Sequence, residues 1–294
     1  MMQRRTVLKL GTAAIGALAL AQYEPSRRVW TGKGFGADLS VIFYENNNDT
    51  AQTFAAIERE VERLEDVFSL FRPASALSRL NRNGVMQNPP EELVELLQLS
   101  KLIWTATGGL FDPTVQTVWS AEGHALNPAM GFEQVEIGHD FIQLAEAGAA
   151  LTLNGIAQGY ASDRLARLLR RRGHAEHLIN LGEFAAGDGP WRLAIENDDA
   201  QRVAHTDLEN LGLATSSPGA MTRANGQAHI VHPFGKTPIW KTVTVEARSS
   251  AIADGFSTAV ALMPKQQIDR LSLRSLGITT IWLEDQNGVV EKIT

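Results

Sequence analysis

Two hydrophobic periods alternate along this chain. From Gly36 to Tyr44, Leu39, Val41 and Phe43 fall on every second position, which predicts a strand with one apolar face. Phe54, Ile57, Val61, Leu64 and Phe68 then recur at three and four, the stripe of an amphipathic helix. Its other face mixes charges (Glu58, Arg59, Glu60, Glu62, Arg63), as a solvated surface does. After Ser75 to Asn83, Asn88-Pro89-Pro90 opens a second helix that buries Leu93, Leu96, Leu97, Ser100, Ile103 and Trp104 and stops at Gly108-Gly109. Ala121 to Gly131 reads as loop. Short β segments follow at Gln134–Ile137, Phe141–Leu144 and Ala149–Leu153. More come at His177–Leu181, Trp191–Ile195, Leu211–Thr215, His229–Val231, Lys241–Ala247, Ile278–Leu283 and Val289–Ile293, with helices over Ile252–Met263 and Lys265–Leu273. Helices scattered among many strands, without strict alternation, predict an α+β fold. No repeat or linker divides the chain.

The pattern centres on Leu151 to Asp163, LTLNGIAQGYASD. An apolar run ends at the turn pair Asn154-Gly155. Gly159 follows, and Tyr160, Leu165, Leu168 and Leu169 then take helical spacing up to Arg170-Arg171-Arg172-Gly173. This is strand, glycine turn, helix start. A helix start of this kind suits a phosphate; an ordinary strand-to-helix corner reads the same way.

Composition narrows the class. The 294 residues are 44% hydrophobic and 20% charged, enough for a large core. A net charge of -6 gives no basic footprint for nucleic acid, and the absence of cysteine excludes disulfides and thiolate metal sites. Arg4-Arg5-Thr6-Val7-Leu8-Lys9 and the apolar run Leu10 to Ala21 resemble a twin-arginine signal peptide over residues 1–21. That reading makes the mature domain 22–294, periplasmic and exported already folded by the twin-arginine translocation machinery; a general secretory signal or an uncleaved anchor would read the same way.

Three further groups could carry chemistry. Asp254 and Thr258, four apart in ADGFST, share a helix face; a carboxylate, a hydroxyl and a nearby carbonyl suit a hard cation, and helix capping explains the aspartate equally well. His229 and His232 in HIVHPFG offer a general base, a sparse zinc pair or plain histidines. Asp112, held extended before Pro113, and the hydroxyls Thr215-Ser216-Ser217 are polar turn or ligand groups.

In order, the stretches SLFR with SRLN, GGLFDPT, LNGIAQGYASD, ATSS, HIVHPFGKTP and ADGFSTA resemble the ApbE family of FAD:protein FMN transferases. The resemblance implies a single large T-fold-like α+β domain. It implies FAD as substrate, a magnesium ion, and transfer of FMN onto a Thr or Ser hydroxyl of an exported or membrane electron-transfer protein with release of AMP. Some members instead hydrolyse FAD to FMN and AMP, and a flavin-binding maturation factor without catalysis is a third outcome. The signal and the divergence also resemble a twin-arginine-exported branch serving nitrous oxide reductase maturation. Carried over by position, the metal ligands are the Ala157 carbonyl, Asp254 and Thr258, and His229 is the base. Phe35, Gly36, Asp112, Asn154, Gly155, Ile156, Gln158, Gly159 and Thr215 line the FAD site.

The chain departs from the family pattern at four places. Gln158 stands where lysine is common, and Phe35 where methionine is. His232 replaces an aspartate, and Asn180-Leu181-Gly182-Glu183 replaces a Gly-Gly and adds a carboxylate.

Overall fold

The computed structural model describes residues 26–45, 49–117, 129–144, 148–197, 199–221, 223, 226 and 228–294. The signal segment, the Asn46–Asn48 part of the first turn and most of the 121–131 loop lie outside the described residues.

The strands are β1 Ser26–Gly34, β2 Ala37–Glu45, β3 Val85–Gln87, β4 Val135–Ile137, β5 Phe141–Leu144, β6 His177–Asn180, β7 Phe184–Ala186, β8 Trp191–Glu196, β9 Arg202–Leu208, β10 Gly212–Ser216, β11 Thr242–Ala247, β12 Ile278–Glu284 and β13 Val290–Ile293. The helices are α1 Thr50–Phe68, α2 Ala76–Asn83, α3 Glu91–Ala106, α4 Ala157–Arg171, α5 Ser250–Val260 and α6 Lys265–Ile268. Eight strands form one sheet in the order β1-β2-β6-β7-β10-β11-β12-β13, every neighbouring pair antiparallel.

Residue alternation separates the sheet's two faces. Val41, Phe43, Ile179, Ala214, Ile281 and Leu283 join the main core with the helices. Their neighbours Ile42, Leu178, Leu213 and Trp282 join a smaller cluster covered by the β8–β9 hairpin. Helix α1 turns Ile57, Val61 and Leu64 into the main core, and α5 is buried along nearly its whole length.

Several expected elements differ. Ala149–Leu153 is not a strand, because its backbone is bonded by side chains instead of a neighbouring ladder. Asn81 of α2 both donates to the Leu151 carbonyl and accepts its N–H, each at 2.8 Å, and the Ala150 N–H reaches Thr117 Oγ1 at 3.1 Å. His229–Val231 is a bend with only a single bridge residue, Ala228, before it. The helix expected to reach Leu273 ends at Ile268. Strands β1, β3, β7 and β9 were not expected: β1 and β9 are largely exposed and weakly alternating, and β3 and β7 have three residues each.

Candidate functional site

The centre of the site is the contact between the start of α4 and the middle of α5. Two glycines set it. A Cβ on Gly159 would press into the Ser250 carbonyl, with the carbonyl carbon at 2.6 Å and Ala251 Cα at 2.8 Å, so only glycine lets the two backbones meet. Its N–H donates to Asp254 Oδ2 at 3.0 Å. One turn earlier, a Cβ on Gly155 would lie 2.8 Å from Thr258 Oγ1. Ala157 is therefore bracketed by a residue facing Thr258 and a residue bonded to Asp254. Asp254 is 3% exposed, and Thr258 is the partly open residue of this face.

The rest of the LTLNGIAQGYASD motif divides between this contact and the scaffold. Asp163 caps α5: it accepts from Ser249 Oγ at 2.6 Å, Ser250 N–H at 2.8 Å and Ala251 N–H at 3.0 Å. Burial raises its pKa against those bonds. Nothing in the residue spacing signalled this role. Ile156 is a core side chain, so any ligand would meet its backbone, whereas Asn154 is an exposed turn residue. The helix start differs from the phosphate cradle its glycines suggested. The Ile156 and Ala157 N–H groups both go to the Leu153 carbonyl, and the Gly159 N–H goes to Asp254. Carbonyl and side-chain oxygens, more than free N–H donors, are what this corner presents.

Phe35-Gly36 is the two-residue turn between β1 and β2, with both residues at positive φ (50° and 72°). A phenylalanine is strained there. Its backbone is held from both sides: the Phe35 N–H donates to Glu65 Oε1 at 2.9 Å, and its carbonyl accepts from Gln158 Nε2 at 3.3 Å. Glu65 is itself gripped by Arg72 at 2.6 Å, which also binds Glu62 and Asp66. Arg72, quoted in the SLFR stretch, thus fixes the hairpin tip through α1. Gln158 is 3% exposed, under the Leu181–Glu183 turn, where a Cβ on Gly182 would strike its amide.

Asp112 is extended (φ -133°, ψ 106°), as its proline predicts. Its Oδ1 accepts the Thr114 N–H and hydroxyl at 2.8 and 2.6 Å, and Oδ2 accepts the Phe132 N–H at 3.3 Å. Burial outweighs these bonds and raises its pKa. Thr215 is exposed; its hydroxyl meets Thr244 Oγ1 at 2.9 Å and its N–H donates to Glu183 Oε2 at 3.1 Å. The added carboxylate of Glu183 therefore ties β7 to β10. The next hydroxyl, Ser216, is the one that reaches α5, at 2.8 Å from Ser257 Oγ and 3.4 Å from Thr258 Oγ1. Alternation along β10 explains why Thr215 and Ser216 face opposite ways.

His229 is half-buried in its bend, and its Nδ1 lies 3.2 Å from the Pro218 carbonyl and 3.3 Å from that of Met221. Carbonyls only accept, so Nδ1 carries a proton, and in the neutral ring the lone pair is on Nε2. His232 takes the other tautomer, since its Nδ1 accepts the Phe234 N–H at 3.1 Å. Burial, then the charge of Lys236, lowers its pKa. Among the described residues no cluster of three or more His, Asp or Glu gathers, so the zinc reading finds no further ligands there.

The donor set fits a magnesium ion: a buried carboxylate, a hydroxyl and a carbonyl are all hard oxygen ligands. Gly155 also keeps the space before Thr258 Oγ1 free of a side chain.

Known proteins share this sequence family and this fold. A sequence model of the ApbE family matches residues 35–282. The FAD:protein FMN transferase of Salmonella typhimurium is 26% identical over 290 residues, covering 85% of this chain and 83% of its own. That of Escherichia coli K12 is 24% identical over 251 residues, covering 73% and 72%. Among solved structures, the apo flavinyl transferase ApbE of Pseudomonas stutzeri superposes with a TM-score of 0.79 at 22% identity, covering 94% of this chain and 97% of its own. The flavin transferase ApbE of Vibrio cholerae gives 0.77 at 19% identity, covering 91% and 96%. With the family model spanning most of the sheet, the α4–α5 contact and the histidine loop together, the chain belongs to the ApbE family.

Proposed function

We propose that this protein transfers FMN from FAD to a Thr or Ser hydroxyl of an exported or membrane-bound electron-transfer protein, with magnesium held by the Ala157 carbonyl, Asp254 and Thr258. The enzyme is a flavin transferase, in keeping with its family and with relatives named FAD:protein FMN transferase. The observation that carries the site reading is the bracketing of Ala157 between Gly155, against Thr258, and Gly159, bonded to Asp254. When bound there, the cation neutralises charge on the pyrophosphate.

His229 supplies the base. Its Nδ1–H is fixed on the Pro218 and Met221 carbonyls, which orients Nε2 to take the acceptor's hydroxyl proton. The hydroxyl oxygen forms a bond to the FMN phosphorus, the bond from that phosphorus to the bridging oxygen breaks, and AMP leaves. Phe35 and Gln158 hold the hairpin tip against α4, and Asp112 braces the neighbouring loop. The twin-arginine segment supports export to the periplasm, where such an acceptor stands.

One assay tests the reading. The mature protein is incubated with FAD, magnesium and an acceptor, and AMP, free FMN and acceptor mass are followed. AMP formed in step with flavinylated acceptor is the expected result. Free FMN and AMP without acceptor identify a pyrophosphatase, and bound FAD with no AMP identifies a maturation factor; either overturns the transferase reading.

A further inference from the structure

The loop from His232 to Ile239 continues from the candidate base and lines a cavity of about 430 Å³. Gly108 and Leu110, just before Asp112, contribute to it, as do Leu262 and Pro264 beyond the end of α5. The two loops touch: a Cβ on Gly109, at φ +83°, would sit 3.3 Å from Phe234 Cζ. None of the lining residues is Phe35, Thr215, Asp254, Thr258 or part of the Asn154–Gly159 corner. The cavity is a space beside the proposed flavin and metal groups, separate from them.

Its surface combines two features that suit a peptide. Phe234 and Ile239 are 56% and 39% exposed, two of the few large apolar side chains left open to water, and both stand on this one loop. Lys236 lies between them. Lys33, Lys241 and Lys265 each meet a carboxylate, whereas Lys236, like Lys101 and Lys292, forms no ion pair among the described residues. The cavity thus combines an apolar lining with one uncompensated cation. His232, which also lines it, is three residues from His229, a chain distance of at most about 11 Å.

We infer that this cavity docks the acceptor polypeptide, taking an apolar side chain beside the reactive hydroxyl residue into the pocket and a neighbouring carboxylate onto Lys236. The inference rests on the transferase reading, because a segment whose hydroxyl reaches His229 runs past this loop. An apolar anchor supplies affinity by removing surface from water, and the exposed ion pair supplies selection of sequence and on-rate.

The experiment measures binding of two fluorescent peptides to the FAD-loaded protein. Both carry a threonine next to leucine, one flanked by aspartate and the other by lysine. The wild type should bind the aspartate peptide about fivefold more tightly, the scale of one exposed ion pair. Lys236→Glu should reverse that preference, and Phe234→Ser should weaken both peptides alike; FAD affinity, read by flavin fluorescence, should stay unchanged in both variants. Absence of peptide binding, or an unreversed preference, overturns the inference. A lowered FAD affinity with the peptide preference intact also overturns it and assigns the cavity to the nucleotide. Docking retained without FMN transfer would refute the transferase reading instead and leave the docking surface standing.

Discussion

Gly155 and Gly159 lie four residues apart in one motif, yet alanine at each should do opposite things. In an open helix, Gly→Ala stabilises by about 1 kcal/mol. At Gly159 the added methyl meets backbone: the Ser250 carbonyl carbon at 2.6 Å and Ala251 Cα at 2.8 Å, at the capped first turn of α5. Backbone cannot rotate away, so the helices must part; overpacking of this kind costs about 1–3 kcal/mol. Parting them also strains the Gly159 N–H bond to buried Asp254, a charged hydrogen bond worth about 1.5–3 kcal/mol. Set against the helix gain, the net loss is about 2–4 kcal/mol, or about 5–12 °C in Tm for a domain of this size. At Gly155 the methyl meets the side chain of Thr258 at 2.8 Å, and φ there is not positive, so stability should change by less than about 1 kcal/mol. What Gly155→Ala should lose is the space before Thr258 Oγ1, raising the magnesium needed for half-maximal AMP release at least tenfold. Thermal unfolding and a magnesium titration on both variants decide it. A Gly159→Ala protein as stable as wild type, or a Gly155→Ala protein with an unchanged magnesium titration, would refute the argument.

The other predictions are shorter. His229→Ala should abolish flavinylation of the acceptor while FAD still binds, and transfer surviving in that variant would sink the base assignment. Asp254→Asn should weaken the magnesium dependence of AMP release strongly; an unchanged metal titration would move the cation elsewhere. Gln158→Lys should place an ammonium within reach of the Phe35 carbonyl and lower the KM for FAD, with kcat for AMP release altered less; a higher KM would show that the buried amide is required. Burial holds His177 at about 4, below its ordinary 6.5. The unfolded chain therefore takes up the proton first as pH falls. The resulting stability is full above about 6.5 and declines by about 3 kcal/mol through pH 4. Urea unfolding between pH 7 and 4 should show that slope in the wild type and a flatter one in His177→Leu.

The strong periodic elements were legible in the sequence because their alternation or helical stripe reports burial directly: β2, α1, α3 and α4 all stand where the pattern put them, within a few residues. What the pattern missed fails for identifiable reasons. Ala149–Leu153 has a strand's composition, but side chains 33 and 70 residues away satisfy its backbone, and no local pattern reports such partners. β1 hides because, as an edge strand, it exposes five of its nine residues, Arg27 and Lys33 among them. At the candidate site, residue types and order pointed to segments that the fold brings together, while the atoms that meet were decided by packing. Gly159, which suggested close approach of a phosphate, is a glycine because Ser250 lies against it. Asp163, quoted with the flavin motif, caps the helix that carries Asp254. The two observations have one physical meaning. Cap and glycine contact both hold the start of α5 on α4, so the geometry around Asp254 and Thr258 is set by a rigid helix pair. The positions that depart from the resembled family pattern, Phe35, Gln158 and His232, are the hairpin tip, its buried brace and the loop beside the cavity. Substitution at those edges can therefore change what the site binds without moving Asp254 or Thr258, which the α4–α5 contact holds in place.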